Sequence, residues 1–303
     1  MDRIERIVVG VDLDGDEIGA TARLAIDRAQ SVARAAGAHV TLVHSRRDDE
    51  RWNEDAGGFE SVPARSSRQE NEPLERAAET LREAGIETSV VISDDAPGIA
   101  ILRRVQEEDA QLVVMGKRTT VRHDGRRLGS VSMTVVRGCP CLVSVVKPGA
   151  TNSPKMIVAA SDAGEVGARV VEAAAGLANL FGAELHVVHA IQLSMETQMQ
   201  GGDAEHAFVE ERRADMRHQV EAQTAAAGFS GTAHVHAGVT TPTRAVLEAV
   251  ERLSPDVVVM GTVSRAGIPG LLIGNTAERL LGLLDCSLLI AKPAGFVCPV
   301  PLA

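Results

Sequence analysis

The chain contains the same pattern twice, at an offset of 145 residues. The segment LVVMGKRTT, which includes Gly116, matches VVVMGTVSR, which includes Gly261. The segment 38–45 (AHVTLVHS) matches 183–190 (AELHVVHA) at the same offset. The offset recurs in single residues along the chain: Pro97 and Pro242, Gly129 and Gly274, Lys147 and Lys292. A repeat sustained over this length predicts two homologous halves with one common fold.

The first strands of the two halves are further apart than the rest of the repeat. RIVVGVD ends at Asp12 and MIVAASD ends at Asp162, an offset of 150 residues. The first half therefore carries about five extra residues, which we expect in the loop after Asp12.

Each half alternates short β-rich runs with helical patterns, which predicts βαβ units and a mostly parallel sheet. Runs such as LVVM and VVVM are typical of strands that are buried on both faces. A turn-forming connector, Pro148 to Pro154, separates the halves. We therefore expect two tandem α/β domains, 1–148 and 155–294, each with a five-stranded parallel sheet flanked by helices.

The first half predicts five strands and four helices. The strands are Arg6 to Val11, Val40 to Ser45, Thr88 to Ile92, Gln111 to Met115 and Cys141 to Val146. The helices are Ile18 to Ala36, Pro73 to Ala84, Gly98 to Glu108 and Ser130 to Arg137. The second half repeats this order, with a longer second helix from about Asp203 to Ala226 and Asp203 as its N-cap.

Two segments lie outside the repeated elements. The polar segment 46–71 has no clear period and predicts a flexible insert, to which we assign no structure. The tail 295–303 is apolar with Pro and Gly breakers, so it either docks on a neighbouring surface or frays.

Composition excludes several classes of partner. The chain has 41 acidic and 31 basic residues, a net charge of −10, and this disfavours polyanion binding. Aromatic residues make up 2% of the chain, so stacking platforms for single-stranded nucleic acid are nearly absent. No apolar run approaches the roughly 18 to 20 residues of a membrane span, and the N-terminus lacks the regions of a signal peptide. We expect a cytoplasmic protein with no nucleic-acid or membrane partner and with four reduced cysteines.

The aspartate after the first strand of each half is a candidate binding residue. Ligands of open parallel α/β sheets bind beyond the carboxyl ends of the strands, where strand order reverses. There a carboxylate such as Asp12 or Asp162 accepts hydrogen bonds from a sugar hydroxyl or a base amine. The alternative is a helix cap or an Asx-turn, which the same residue type favours.

The loop after the fourth strand is the second candidate. Gly116 to Thr119 is followed by nine residues and then by Gly129 to Ser132, which opens a helix. Glycine allows close backbone approach, and free N–H groups at the helix start, together with the hydroxyls of Ser130 and Ser132, suit a phosphate. The alternative is an ordinary serine-capped helix.

These segments resemble the universal stress protein family. VVMGKRTT, nine further residues and GSVS, and VVMGTVSR with GNTAERLLGLLDCSLLIAKP, are similar to the family motif G-x₂-G-x₉-G-(S/T) after the fourth strand. The second half particularly resembles the tandem, UspE-like branch, and the resemblance covers nearly the whole chain. It implies tandem Rossmann-like domains of the adenine nucleotide alpha hydrolase type, a role in stress response, and ATP as the ligand.

The resemblance assigns nucleotide-binding positions in both halves. The first-half positions are Val11, Asp12, Val40, Gly116, Lys117, Thr119, Gly129, Ser130, Val131 and Ser132. The second-half positions are Asp162, Leu185, Gly261, Ser264, Gly274, Asn275 and Thr276.

Both halves depart from the family motif, the second one further. Thr119 and Ser264 replace the second glycine, and Asn275 replaces the motif serine. The first-half loop carries six basic residues, which either screen a triphosphate or form a solvated surface: Lys117, Arg118, Arg122, His123, Arg126 and Arg127. The second-half loop has one cation, Arg265, among apolar residues. We expect ATP, with or without Mg²⁺, in the first half, and weak or no nucleotide binding, or a more apolar ligand, in the second. Asp12 and Asp124 are the candidates for Mg²⁺ in the enzyme alternative.

No motif for catalysis is evident, so we expect a non-catalytic binding protein. There is no nucleophile elbow, Walker A loop or HExxH. His186, His234 and His236 form a conceivable metal cluster, but Ser89 and Val91 replace the latter pair in the first half, which argues against a shared metal function. A slow ATPase and a scaffold with vestigial sites remain the alternatives.

The resemblance also implies that the fifth strands of two domains pair. Cys141 to Val146 would meet Ser287 to Ala291 within the chain and cover two strand edges. We expect an intramolecular pseudo-dimer. The association of two chains into a homodimer, and any protein partner, are not predicted by the sequence.

Overall fold

A computed structural model describes residues 3–47, 51–53, 58–60, 67–117, 119–122, 125–262 and 274–302. The chain divides into two compact units. Of the described residues, those within 3–122, 128–152 and 297–302 form the N-terminal half, and those within 125–127 and 153–296 form the C-terminal half. No helix in the described ranges is long and apolar enough to cross a membrane.

The N-terminal half is built on a five-stranded parallel sheet. Its strands are β1 (Arg6–Gly10), β4 (His39–Ser45), β7 (Thr88–Ser93), β8 (Leu112–Gly116) and β11 (Leu142–Val146). Their order is β11-β8-β1-β4-β7, and each neighbouring pair is parallel. Its helices are α1 (Ala20–Ala36), α2 (Ser67–Glu83), α3 (Pro97–Glu108) and α4 (Ser130–Gly138).

The C-terminal half repeats this topology. Its strands are β12 (Met156–Ala160), β13 (Glu184–Ile191), β14 (Ala233–Val239), β15 (Val257–Gly261) and β16 (Ser287–Ala291). Their order is β14-β13-β12-β15-β16, again with every neighbouring pair parallel. Its helices are α5 (Glu165–Phe181), α6 (Met195–Gln200), α7 (Gly202–Ala226), α8 (Pro242–Leu253) and α9 (Asn275–Leu283). The predicted α/β fold with two tandem Rossmann-like domains is confirmed.

The elements follow from local sequence rules. The central strands β1, β8, β12 and β15 are almost continuously buried, as expected for parallel strands covered by helices on both faces. The helices α1 and α5 end at Gly37 and Gly182, whose φ angles of 71° and 64° are the left-handed conformation that glycine adopts without steric cost. Strand ends and helix starts differ from the predicted bounds mostly by one or two residues.

Three segments differ from the sequence prediction. The helix α2 begins at Ser67 and has Pro73 inside it, because the polar residues before Pro73 are good helix formers. The helix α7 takes Gly201 as its N-cap, and Asp203 lies in its first turn instead. The segment 46–71 contains a short antiparallel pair, β5 (Arg51–Asn53) and β6 (Gly58–Glu60).

Two further hairpins are short. The five extra residues after Asp12 form β2 (Leu13–Asp14) and β3 (Glu17–Ile18), where we expected an insertion. The loop after β8 forms a two-stranded sheet from β9 (Thr119–Arg122) and β10 (Gly125–Leu128).

The C-terminal tail docks on the N-terminal half. Gln106 Nε2 donates to the carbonyl of Val300 at 2.9 Å, and Arg103 Nε donates to the carbonyl of Pro301 at 3.3 Å. Both donors belong to α3. Of the two outcomes left open by the sequence, docking is therefore the one observed.

Candidate functional site

Strand order reverses between β1 and β8, and this reversal places the candidate crevice. From β1 the chain passes outward to β4 and β7, then returns to the other side of β1 through β8 and β11. Val9 of β1 lies opposite Val114 of β8, so the two strands end side by side. The loops that carry Asp12 and Lys117 therefore leave the sheet at its switch point, which is where such sheets bind ligands. The pair β12 and β15 repeats this arrangement with Asp162 and Thr262.

Asp12 lies at the entrance to the first helix. Its carbonyl accepts a hydrogen bond from the N–H of Gly19 at 2.9 Å. A Cβ placed on Gly19 would lie 3.1 Å from both carboxylate oxygens of Asp12. The side chain of Asp12 thus sits directly against the start of α1. Val11, before it, is buried and donates its N–H to the carbonyl of Val43 at 2.9 Å.

Asp162 makes defined contacts with the start of α5. Its Oδ1 accepts from the N–H groups of Gly164 at 3.0 Å and Gly167 at 3.1 Å. A Cβ on Gly167 would lie 2.5 Å from the same oxygen, so glycine is needed for this contact. Ala163, which lies between Asp162 and Gly164, has a φ of 61°, a left-handed conformation that is unusual for alanine. The turn and cap interpretation describes what Asp162 does here.

A histidine in each half supports the loop after the first strand. His44, which is buried in β4, donates from Nδ1 to the carbonyl of Val11 at 2.9 Å. His189 of β13 donates in the same way to the carbonyl of Ser161 at 3.0 Å. These residues were missed as site residues. The signal was present, because the two histidines are 145 residues apart within the matching segments 38–45 and 183–190.

The glycines that end β8 and β15 are required by packing against a helix. A Cβ on Gly116 would lie 2.1 Å from the carbonyl oxygen of Thr21 in α1. A Cβ on Gly261 would lie 2.3 Å from Cγ1 of Val166 in α5. The close backbone approach predicted for these glycines is thus made to the first helix of each half.

The residue that follows each of these glycines differs in charge between the two halves. Lys117 is buried, with 3% of its surface exposed, and its N–H donates to the carbonyl of Val146 at 2.6 Å. Its counterpart, Thr262, is also buried, and its N–H donates to the carbonyl of Ala291 at 3.1 Å. The backbone is therefore the same in the two halves, but the side chain is cationic only in the first. The alternative that the basic residues of the first-half loop form a solvated surface therefore does not hold for Lys117.

The first turn of the helix after the motif is also more favourable for an anion in the first half than in the second. Gly129 is the N-cap of α4 and provides no side-chain cap, and within this described helix no acidic residue lies in the first turn. Gly274 is likewise the N-cap of α9, but Glu278 lies in that first turn. The helix dipole and the first N–H groups attract anions, and a carboxylate in the first turn competes with them. The start of α4 suits a phosphate better than that of α9.

Residues of the motif segment differ in exposure. Ser132 is buried in the first turn of α4, whereas Ser130 is exposed and Val131 is half-buried. In α9, Thr276 is half-buried. Thr119 and Asn275 lie on β9 and α9, and only their backbone is described. Several predicted residues lie outside the described residues: Arg118, His123, Asp124, Ser264 and Arg265.

Val40 and Leu185 are not brought to this crevice. Val40 is fully buried and lies opposite Ile7, near the amino end of β4. The crevice lies at the other end, where Gly10 is opposite Val43. Leu185 is likewise fully buried, opposite Ile157 near the amino end of β13. In β4 and β13, the residues that do reach the crevice are those near His44 and His189.

Among the described residues, no cysteine and no group of metal ligands forms part of the crevice. Cys139 and Cys286 are buried, and Cys141 and Cys298 are half-buried. The Sγ atoms of Cys139 and Cys141 lie 3.4 Å apart, and this hydrogen bond, together with burial, raises the pKa of the Cys141 thiol well above its ordinary value. Among the described side chains, no group of three His, Cys, Asp or Glu residues is arranged to hold a metal ion.

Comparisons with known proteins agree with this architecture. The model of the universal stress protein family matches residues 3–147 and 154–292. Universal stress protein E of Photorhabdus laumondii is 27% identical over 251 residues, covering 76% of this chain and 77% of that protein. The crystal structure of a functionally unknown protein from Pseudomonas aeruginosa is 26% identical, with a TM-score of 0.67 over 96% of this chain and 93% of that one. A universal stress protein from Archaeoglobus fulgidus, 18% identical, shares the fold with a TM-score of 0.68 over 96% of this chain and 99% of that one.

Proposed function

The chain belongs to the universal stress protein family as a tandem, UspE-like member, and from this premise we propose that it is a non-catalytic stress-response protein whose N-terminal half binds ATP. The nucleotide lies in the crevice between the ends of β1 and β8. The C-terminal half has the same fold with a degenerate site.

The observation that carries this proposal is the contrast between the starts of α4 and α9. Both helices begin after a glycine, with the N–H groups of the first turn directed along the helix axis. Only α9 has an acidic residue, Glu278, in that turn; the equivalent position in α4 is Met133. A triphosphate is attracted by the positive end of a helix dipole and repelled by a carboxylate beside it.

Lys117 supports the same assignment. Lys117 follows the glycine that ends β8 at the switch point, and a positive charge there favours a phosphate in an otherwise acidic protein. Thr262, at the equivalent position, provides no charge. At these two equivalent positions the first half therefore offers a cation and an acid-free helix start, whereas the second half has Thr262 and Glu278.

Adenine and ribose would occupy the side of the crevice formed by the loop after β1. Asp12 would accept hydrogen bonds from the ribose hydroxyls or the adenine amine. His44 holds this loop through the carbonyl of Val11, so it acts on the ligand only by positioning. Gly129, Ser130 and Ser132 would contact the phosphates, with Mg²⁺ as the counter-ion of bound ATP.

A single charge placed in α4 tests the proposal. Met133→Glu gives the first half the acidic turn that the second half has. We expect the Kd for ATP, measured by isothermal titration calorimetry, to rise by up to about fivefold, because a charge at a helix terminus contributes up to about 1 kcal/mol.

The matched control is Glu278→Met, which changes the equivalent residue of the second half. It should leave the ATP affinity of the chain unchanged, and both variants should keep the circular dichroism of the parent. If the Kd for ATP stayed unchanged in Met133→Glu and changed in Glu278→Met, the nucleotide would bind in the C-terminal half, which would contradict the proposal. An absence of heat with ATP would favour the scaffold alternative, and release of phosphate at a steady rate would favour the slow ATPase.

A further inference from the structure

Three histidines lie together on one face of the C-terminal sheet, at its outer edge. His186 of β13 lies opposite His234 of β14, and Val188 lies opposite His236. The rings of His186 and His234 are stacked with their centroids 4.9 Å apart, and those of His186 and His236 are 5.2 Å apart. Nδ1 of His186 lies 2.9 Å from Nε2 of His236. We call these three residues the histidine cluster.

The hydrogen bond between His186 and His236 requires an unprotonated nitrogen. One ring donates an N–H and the other accepts through its lone pair, so at least one ring is neutral. When both rings are protonated, two N–H groups face each other at 2.9 Å and the bond is lost. His186 is only 8% exposed, and its Nε2 is buried without a hydrogen-bond partner among the described residues. A charge on this ring therefore loses most of its hydration, and the carboxylate of Glu184 compensates it only in part.

The charged groups around the histidine cluster offset protonation only in part: Glu184 favours the charged form of His186, but burial and the charge of His234 outweigh it, so the pKa of His186 is lowered. On β13, Glu184 lies 3.7 Å from Nε2 of His186 and is largely exposed. On α8, Arg252 disfavours the charged form of both His186 and His236. A cavity of about 380 Å³ beside His236 is lined further by His189 of β13, by Arg213 and Arg217 of α7, and by Glu248 of α8. Arg213 and Glu248 are paired elsewhere, with Glu210 at 2.6 Å and Arg244 at 2.7 Å.

The N-terminal half has no histidine at the three equivalent positions, and the histidine at this edge is His39 of β4, whose Nδ1 lies 3.5 Å from the hydroxyl of Thr41. Thr41 stands where the second half has His186, and its hydroxyl lies 3.0 and 2.9 Å from the two carboxylate oxygens of Glu108. Ser89, equivalent to His234, lies 3.1 Å from the same hydroxyl. Glu107 and Glu108 of α3 are replaced in α8 by Arg252 and Leu253. One fold thus carries a carboxylate at this edge in one half, and a histidine cluster beside an arginine in the other.

We propose that the histidine cluster is a proton-sensitive element that loosens the outer edge of the C-terminal sheet, β13, β14 and α8, at mildly acidic pH while the N-terminal sheet stays closed. This device is independent of nucleotide binding. It makes one half of the chain responsive to acidification.

The direction of the effect follows from the pKa values. Burial lowers the pKa of His186, and the charge of His234 lowers it further; burial and Arg252 lower the pKa of His236. The folded edge therefore binds fewer protons than the opened edge. Its stability is fully present above about pH 6.5, the ordinary value for histidine, and falls as the pH drops below it.

Hydrogen exchange of the full chain at pH 7.5 and 5.5 tests the proposal. After correction for the intrinsic exchange rate, we expect the protection of β14 amides to fall by about tenfold or more, since each proton taken up changes the opening equilibrium up to tenfold per pH unit. Protection of β4 and β7 should change little. Most carboxylates titrate below this range, so general acid denaturation does not contribute.

The control grafts the N-terminal residues onto the C-terminal sheet. The triple variant His186→Thr, His234→Ser, His236→Val should keep its protection at pH 5.5. If the graft does not fold, His236→Gln replaces one partner of the 2.9 Å bond with a non-titrating amide donor and should reduce the pH effect. His218→Gln, an exposed histidine of α7, should leave the effect unchanged.

Three results would overturn the proposal. The first is equal protection of β14 at both pH values in the parent chain. The second is an equal loss in β4 and β7, which would show a global response. The third is tight binding of Zn²⁺ at pH 7.5 that the graft abolishes, because the histidine cluster would then be a metal site rather than a proton-sensitive element.

Discussion

At the scale of single residues, the glycines that end β8 and β15 have a structural role that the motif alone does not reveal. The family motif places Gly116 and Gly261 beside a nucleotide, yet the space that a side chain would need is taken by the first helix of each half. The glycine is thus required even in the half where we propose no nucleotide. Its presence in both halves is therefore weak support for two working sites, and the residues after it, Lys117 and Thr262, are more informative.

Gly116→Ala should destabilise the N-terminal half by about 2–3 kcal/mol, because its Cβ would meet the carbonyl of Thr21, which is fixed in the helix backbone. Gly261→Ala should cost less, since its Cβ meets the side chain of Val166. Gly238→Ala, where nothing lies within 4 Å of the new Cβ, serves as the control. Denaturant unfolding followed by hydrogen exchange measures all three. Equal losses in Gly116→Ala and Gly238→Ala would contradict the packing explanation.

At the scale of elements, the C-terminal tail belongs to the N-terminal half. Its carbonyls accept from Gln106 and Arg103, and a Cβ placed on Gly138 would lie 3.6 Å from Pro299. Cys298 is half-buried there, and burial raises the pKa of its thiol above the ordinary value. The tail therefore packs across α3 and the end of α4.

Deletion of residues 297–303 should lower the stability of the N-terminal half by about 1–2 kcal/mol, the contribution of two hydrogen bonds less their ordering cost. The amides of α3 should exchange faster in this variant. Deletion of residues 302–303 alone is the control, because Leu302 is largely exposed. Unchanged exchange of α3 after the longer deletion would show that the tail contributes nothing to the N-terminal half.

The elements themselves could be predicted well from the sequence, because the internal repeat and the buried Val, Ile and Leu runs mark the strands and helices along the chain. The order of the strands within each sheet, and with it the switch point between β1 and β8, comes from the structure. The crevice could be predicted only in part. Val40 was assigned through resemblance, without the register that places it opposite Ile7. His44 and His189 recur at the repeat offset, but they were missed because nothing in the sequence shows that their side chains bind the loop after the first strand.

The two aspartates show that equivalence in the sequence repeat does not predict the local structure around a residue. Asp12 and Asp162 are equivalent in sequence, but the five extra residues of the first half form a hairpin between Asp12 and α1. In the second half the connection is tight and passes through the left-handed Ala163, so Asp162 binds the start of α5 directly. Two aspartates that are equivalent in sequence are thus followed by turns of different length and conformation.

At the scale of the whole molecule, one duplicated fold carries two different chemistries. The N-terminal half has the buried Lys117 and an acid-free start of α4, and the C-terminal half has Glu278 and the histidine cluster. We interpret the chain as a pair of domains specialised for different signals, a nucleotide in one and protons in the other. The pairing of the fifth strands of the two halves stays a prediction, as does the identity of any protein partner.

The stoichiometry of ATP is the most direct test of this account. Native mass spectrometry of the full chain with ATP and Mg²⁺ should show one nucleotide per chain. The adduct should disappear in Lys117→Met and persist in Thr262→Val, a benign change because the Thr262 hydroxyl has no hydrogen-bond partner among the described residues. Two nucleotides per chain, none, or a single one that is lost only in Thr262→Val would contradict the proposed asymmetry.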